Sequence, residues 1–118
     1  MRRETIQAVN QFRDERQWRQ FHNPKDLAIS ISLEASELLE LFQWKNSEEV
    51  VDVSSERLQE ELADVLIYAA MLADDLGFDL DEIVMKKLEK NARHYPVEKS
   101  MGCKAKYTDL QQTPEGGE

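Results

Sequence analysis

The 118-residue chain is poor in the residues that interrupt or cross-link a fold: one cysteine, three prolines and four glycines. The lone cysteine, Cys103, excludes an intrachain disulfide and makes a reducing, cytoplasmic setting the simpler expectation. No apolar run approaches the ~20 residues of a membrane span, so no membrane partner is expected. The opening Met1-Arg2-Arg3-Glu4 is charged with no apolar stretch behind it, so no secretory signal is expected. Before residue 96 only Pro24 and Gly77 punctuate the chain, which leaves room for long helices and little support for strands and turns.

What is present is charge on an apolar framework. Hydrophobic residues make up 41% and charged residues 33%, which places the chain among globular domains rather than disordered ones. The net charge is −9, unevenly spread. Between Lys86 and Lys106 seven basic residues stand against two acidic ones, net +5, so the rest of the chain carries −14. An acidic surface of that strength repels the phosphates of long nucleic acid, which is therefore not an expected partner. A small polyanion could be met by Lys and Arg on one side and by cations bridging to the acids on the other. Plain solvation of helix faces explains the charges equally well.

Apolar spacing of three and four predicts four long helices. The first runs from about Glu4 to Arg19, with Ile6, Val9 and Phe12 on one face. Asn23 then reads as an N-cap with Pro24 at the first helical position, opening a helix to about Trp44 with Leu27, Ile31, Leu38, Leu41 and Phe42 inward. A short extra turn is expected over Ser47 to Val53. Ser54 or Ser55 opens a third long helix ending near Leu76, where Gly77 is a natural left-handed stop. Asp79 and Glu82 resemble a capping box for a fourth, ending near Tyr95-Pro96. The expected fold is all-α, an antiparallel four-helix bundle over 1–97 followed by a polar tail over 98–118.

Two of these helices carry acids three apart. Glu34 and Glu37 share a face of the second, and Glu61 and Asp64 share a face of the third. Each pair stands among apolar neighbours, where unpaired charge is costly. Facing pairs would repel unless a cation lay between them. Oxygen donors without Cys or His suit a hard cation, Mg²⁺ first and Mn²⁺ as a substitute. A di-iron bundle needs Glu-x-x-His motifs, but three residues before His22 and His94 stand Arg19 and Asn91. Spacing alone leaves two readings open: a metal cage, or solvent-facing acids on amphipathic helices.

The ordered set Glu34-Ala35-Ser36-Glu37 and Glu61-Leu62-Ala63-Asp64 resembles the E-x-x-E…E-x-x-D signature of the MazG-like all-α nucleotide pyrophosphohydrolases. The stretches Trp18-Arg19-Gln20-Phe21-His22, Glu37 to Trp44, Glu60 to Tyr68, Asn91 to Pro96 and Lys106-Tyr107-Thr108 make it most similar to the dCTP pyrophosphatase branch. The resemblance implies a helical bundle that dimerises or forms a dimer of dimers. It implies Mg²⁺ held by Glu34, Glu37, Glu61 and Asp64, and cleavage of a nucleoside triphosphate to monophosphate and pyrophosphate. It implies base contacts at Trp18, His22, Trp44, Tyr68 and Asn91, phosphate contacts at Lys87 and Arg93, and a closing tail motif at Lys106 and Tyr107. Glu37 and Glu40 are candidates to orient the attacking water. A non-catalytic nucleotide-binding or protein-interaction module is the alternative.

Overall fold

The computed structural model describes residues 1–102; helices joined by short turns make up these residues, with no strand among them. Six α-helices follow in order: α1 (Arg3–Glu15), α2 (Pro24–Glu40), α3 (Ser47–Val53), α4 (Ser55–Leu76), α5 (Leu80–His94) and α6 (Val97–Ser100). A 3₁₀ turn (Arg19–Phe21) separates α1 from α2. The chain packs as two units; Met1–Leu80 contains α1 to α4, whereas α5 beyond its first residue and α6 belong to the other.

Local chemistry explains most helix ends. The Asn23 side chain accepts from the Asp26 amide at 2.8 Å, with Pro24 at the first helical position, so α2 begins where the sequence places it. Asn46 caps α3 in the same way, accepting from the Glu49 amide at 2.9 Å, and the expected extra turn is a seven-residue helix. Gly77 ends α4 at φ 71°. The Phe78 amide donates to the Ala73 carbonyl and the Gly77 amide to that of Asp74, which is a Schellman closure.

Two ends differ from the sequence reading. α1 stops at Glu15 rather than near Arg19, because Gln17 adopts φ 55° and the same closure forms without a glycine. The Trp18 amide donates to the Arg13 carbonyl at 2.9 Å and the Gln17 amide to Asp14 at 3.0 Å. α2 stops at Glu40 rather than Trp44. Its continuation tightens into turns with three-residue hydrogen bonds, such as Phe42 to Leu39, and Trp44 lies at φ 65°. A non-glycine residue in that region costs on the order of 1 kcal/mol and persists only where its surroundings hold it.

Within the first unit α2 packs along α4, and α1 and α3 each meet α4 over a shorter stretch. Leu27, Leu41, Val50, Ala70, Met71 and Ala73 form the buried apolar core. Glu37 interacts with Glu61, while Glu34, a turn earlier in α2, is the charge acting most strongly on Tyr68, two turns later in α4, so the two helices run antiparallel.

Candidate functional site

The α2–α4 pairing turns two sequence-local acid pairs into one cluster. Glu34, Glu61 and Asp64 each present an oxygen within 4.8 Å of the others, all three half-buried. Glu37, one turn beyond Glu34, lies near enough to Glu34 and Glu61 to interact with both. Its carboxyl is pushed above the ordinary range, first by the hydrogen bond and charge of Glu34 and then by desolvation. Glu61 is raised by desolvation, then by Glu37 and Asp64.

Glu34 Oε2 and Glu61 Oε2 are enclosed and meet no hydrogen-bond donor. Enclosed carboxylate oxygens without a donor are costly, and a hard divalent cation satisfies them as an all-oxygen ligand set does. The cluster therefore fits a metal ion.

Beside it opens an apolar cleft of about 610 Å³ between α1 and α4, walled by Val9, Phe12, Trp18, Ile67 and Met71. Asp64 belongs to both features: one of the three clustered acids, it also lines the cleft. Tyr68, one turn on, lines the cleft too, its hydroxyl pKa raised by burial and then by the charges of Glu34, Asp64 and Glu37. Trp18 stands edge-on to Phe12 with ring centroids 5.6 Å apart, and the Arg16 guanidinium lies 3.7 Å over the Phe12 ring.

Of the residues singled out from sequence, the structure brings together Glu34, Glu37, Glu61 and Asp64, with Trp18 and Tyr68 beside them in the cleft. His22 does not line the cleft; its Nδ1 is hydrogen-bonded to Arg13 at 3.2 Å. Trp44 does not line it either and is 94% exposed. Lys87, Asn91 and Arg93 stand on α5 in the second unit, where Lys87 borders a small groove with Ile83, Val84 and Leu88. Lys106 and Tyr107 lie outside the described residues. Sequence reasoning missed Val9 and Met71 as cleft walls, and it placed Arg13 with the helical spacing of α1 without giving it a role. One signal was available: Asp74-Asp75 puts two acids at the C-terminal end of α4, against the helix dipole, a placement that calls for cations.

The MazG-like family model matches residues 29–110, which includes all four acids. The chain is 47% identical to dCTP pyrophosphatase 1 of Bos taurus and 43% identical to that of Homo sapiens, each over 105 residues. Those matches cover 85% of this chain, which spans 62% of the length of these curated relatives. A pyrophosphatase structure from Archaeoglobus fulgidus superposes with a TM-score of 0.75 at 45% identity, over 79% of this chain and 90% of that one. By the family model and the relatives alike, the chain belongs to the MazG-like family.

Proposed function

We propose that this chain is a Mg²⁺-dependent nucleoside triphosphate pyrophosphohydrolase that converts an NTP or dNTP and water to the monophosphate and pyrophosphate. A deoxycytidine-type or modified nucleotide is the first substrate to test, as the dCTP pyrophosphatase relatives suggest. The observation that carries the reading is the double membership of Asp64, in the carboxylate cluster and in the cleft wall. A base held in an apolar aromatic cleft brings its phosphates to the acids, and acids alone would repel them.

In this reading Glu34, Glu61 and Asp64 hold the cation and Glu37 supplies the fourth carboxylate. Mg²⁺, when bound, neutralises phosphate oxygens and makes water a stronger acid; Mn²⁺ is its possible substitute. Water adds to the α-phosphorus, the bond to the bridging α–β oxygen breaks, and a proton passes to a neighbouring carboxylate. Glu37 or Glu40 orients that water. Trp18 supplies a stacking wall for the base and Tyr68 a hydroxyl at its rim. The resemblance alone assigns His22, Trp44 and Asn91 to the base, Lys87 and Arg93 to the phosphates, and Lys106 and Tyr107 to closure of the site.

The reading includes a homodimer or homotetramer in the cytoplasm, with the expected antiparallel four-helix bundle over 1–97 and a tail over 98–118. Among the described residues no helix is long and apolar enough to cross a membrane. The test is pyrophosphate release with Mg²⁺ over a panel of ribo- and deoxynucleoside triphosphates, modified cytidines included. Release with one base favoured supports the enzyme. No release from a folded sample would favour a non-catalytic nucleotide-binding or interaction module.

A further inference from the structure

Arg13 is the one charged residue that is fully buried among the described residues, with 0% of its side chain exposed. All five of its N–H groups are committed. Nε donates to Asn10 Oδ1 at 3.0 Å, and Nη1 donates to His22 Nδ1 at 3.2 Å and Asp75 Oδ2 at 3.1 Å. Nη2 donates to Asp75 Oδ1 at 2.7 Å and Asp74 Oδ2 at 3.3 Å. Arg19 joins from the 3₁₀ turn, donating from Nη1 to Asp74 at 3.1 Å and Asp75 at 2.9 Å. A cluster this complete, 62 residues apart in sequence, binds the end of α1 to the end of α4.

The cluster also anchors the turn between α1 and α2, directly at His22 and, through the shared Asp74 and Asp75, at Arg19. Trp18 is the residue before that turn and His22 the residue after it. The guanidinium donates to His22 just after the turn, while the Trp18 amide just before it donates to the Arg13 backbone carbonyl at 2.9 Å, a bond independent of the side chain. A guanidinium has no proton acceptor, so His22 Nδ1 must be the accepting nitrogen and the ring proton sits on Nε2. The charged groups acting on the imidazole are Arg13 from α1, Arg19 from the turn and Asp75 from α4.

We propose that Arg13 is a positioning residue for nucleotide binding: it fixes the turn that carries Trp18 into the cleft and fixes His22 as the neutral Nε2–H imidazole. The proposal rests on the nucleotide reading above. It separates binding from chemistry, because the acids of the cluster lie on α2 and α4, whereas Arg13 acts on the wall that receives the base. His22 accordingly stays neutral into mildly acid solution. Burial, and then the Arg13 charge, hold its pKa below the ordinary histidine range.

The full chain is compared with Arg13→Met/Asp75→Leu, which removes the buried charge and its main partner together, so that neither is stranded. Arg13→Lys is the second variant, keeping a cation near Asp75 without the fork that reaches His22. Steady-state kinetics are run with the favoured triphosphate from pH 5.5 to 8, and the His22 ring nitrogens are followed by ¹⁵N NMR. The expected result in both variants is a KM raised about tenfold, the scale of one lost base stack, with kcat within about twofold. The Nε2–H signature is replaced by a tautomer mixture. Unchanged KM and tautomer in Arg13→Lys would overturn the proposal, as would kcat and KM worsening together in step with a lowered Tm. A wild-type chain that releases no pyrophosphate removes the enzyme reading and this proposal with it. An active wild type with unaltered variants removes this proposal alone.

Discussion

At the residue scale the acids of α2 and α4 resist being charged together. Glu61, by desolvation and then by Glu37 and Asp64, and Glu37, by Glu34 and then by desolvation, both sit above the ordinary carboxylate range. Replacing Glu61 by Gln removes one like charge and one ligand oxygen at once. The variant is expected to keep or slightly raise its Tm without metal while losing at least about a hundredfold in turnover. Wild type, by contrast, should gain about 2.7 kcal/mol at Mg²⁺ concentrations near a hundred times Kd, and EDTA should reverse the gain. Scanning fluorimetry with and without MgCl₂ checks this. An Mg²⁺-induced rise of equal size in wild type and Glu61→Gln would count against the cage. Asp64→Asn should behave in the same way and also alter KM, because Asp64 alone of the three lines the cleft.

At the scale of elements, helix ends carry separable amounts of stability. Asn23→Ala loses the acceptor for the Asp26 amide and should cost about 1 kcal/mol, read as a shift in urea midpoint at unchanged slope. The joint between α1 and α4 is pH-dependent in a definite direction. Asp75 is held below its usual value of 3.8, first by its hydrogen bond to Arg13. A carboxyl with a depressed folded pKa adds stability above its unfolded pKa and loses it as pH falls through the folded one. Asp75→Asn should therefore be destabilising at pH 7, where it leaves the buried guanidinium with Asp74 as its remaining carboxylate, and the gap to wild type should narrow as the pH falls below the ordinary Asp value toward the lowered folded one. Thermal melts from pH 2 to 7 measure it, and a gap independent of pH would refute the assignment.

For the whole molecule, the notable feature is how much apolar surface a single copy leaves open. The periodicity of α4 marks Leu62 and Leu66 as inward, yet they are 49% and 48% exposed; on α2, Leu33 is 59% exposed beside Glu34. Six buried apolar residues are a small core, and small domains commonly complete theirs by association. The expectation is a homodimer or homotetramer at micromolar concentration. Leu33→Glu combined with Leu66→Glu should shift it toward monomer in analytical ultracentrifugation, with activity falling in parallel. A wild-type chain that sediments as a monomer at every concentration would sink the oligomer reading.

Much of this protein was readable in the sequence because the relevant signals are short-range. Helical periodicity, the Asn23-Pro24 start and the Gly77 stop each span a turn or two, and they placed α2's beginning and α4's end correctly. Spacing of three likewise put Glu34 with Glu37 and Glu61 with Asp64, each pair on its own helix. Tertiary structure alone decided that the two pairs converge, because antiparallel packing of α2 on α4 sets that distance and no local pattern does. It also decided that α1 ends at Glu15, where Gln17 takes a backbone conformation usually left to glycine. The encounter of Arg13 with Asp75 belongs to the same class. The worth of that contact depends on desolvation between distant segments, which exists only once the helices have packed.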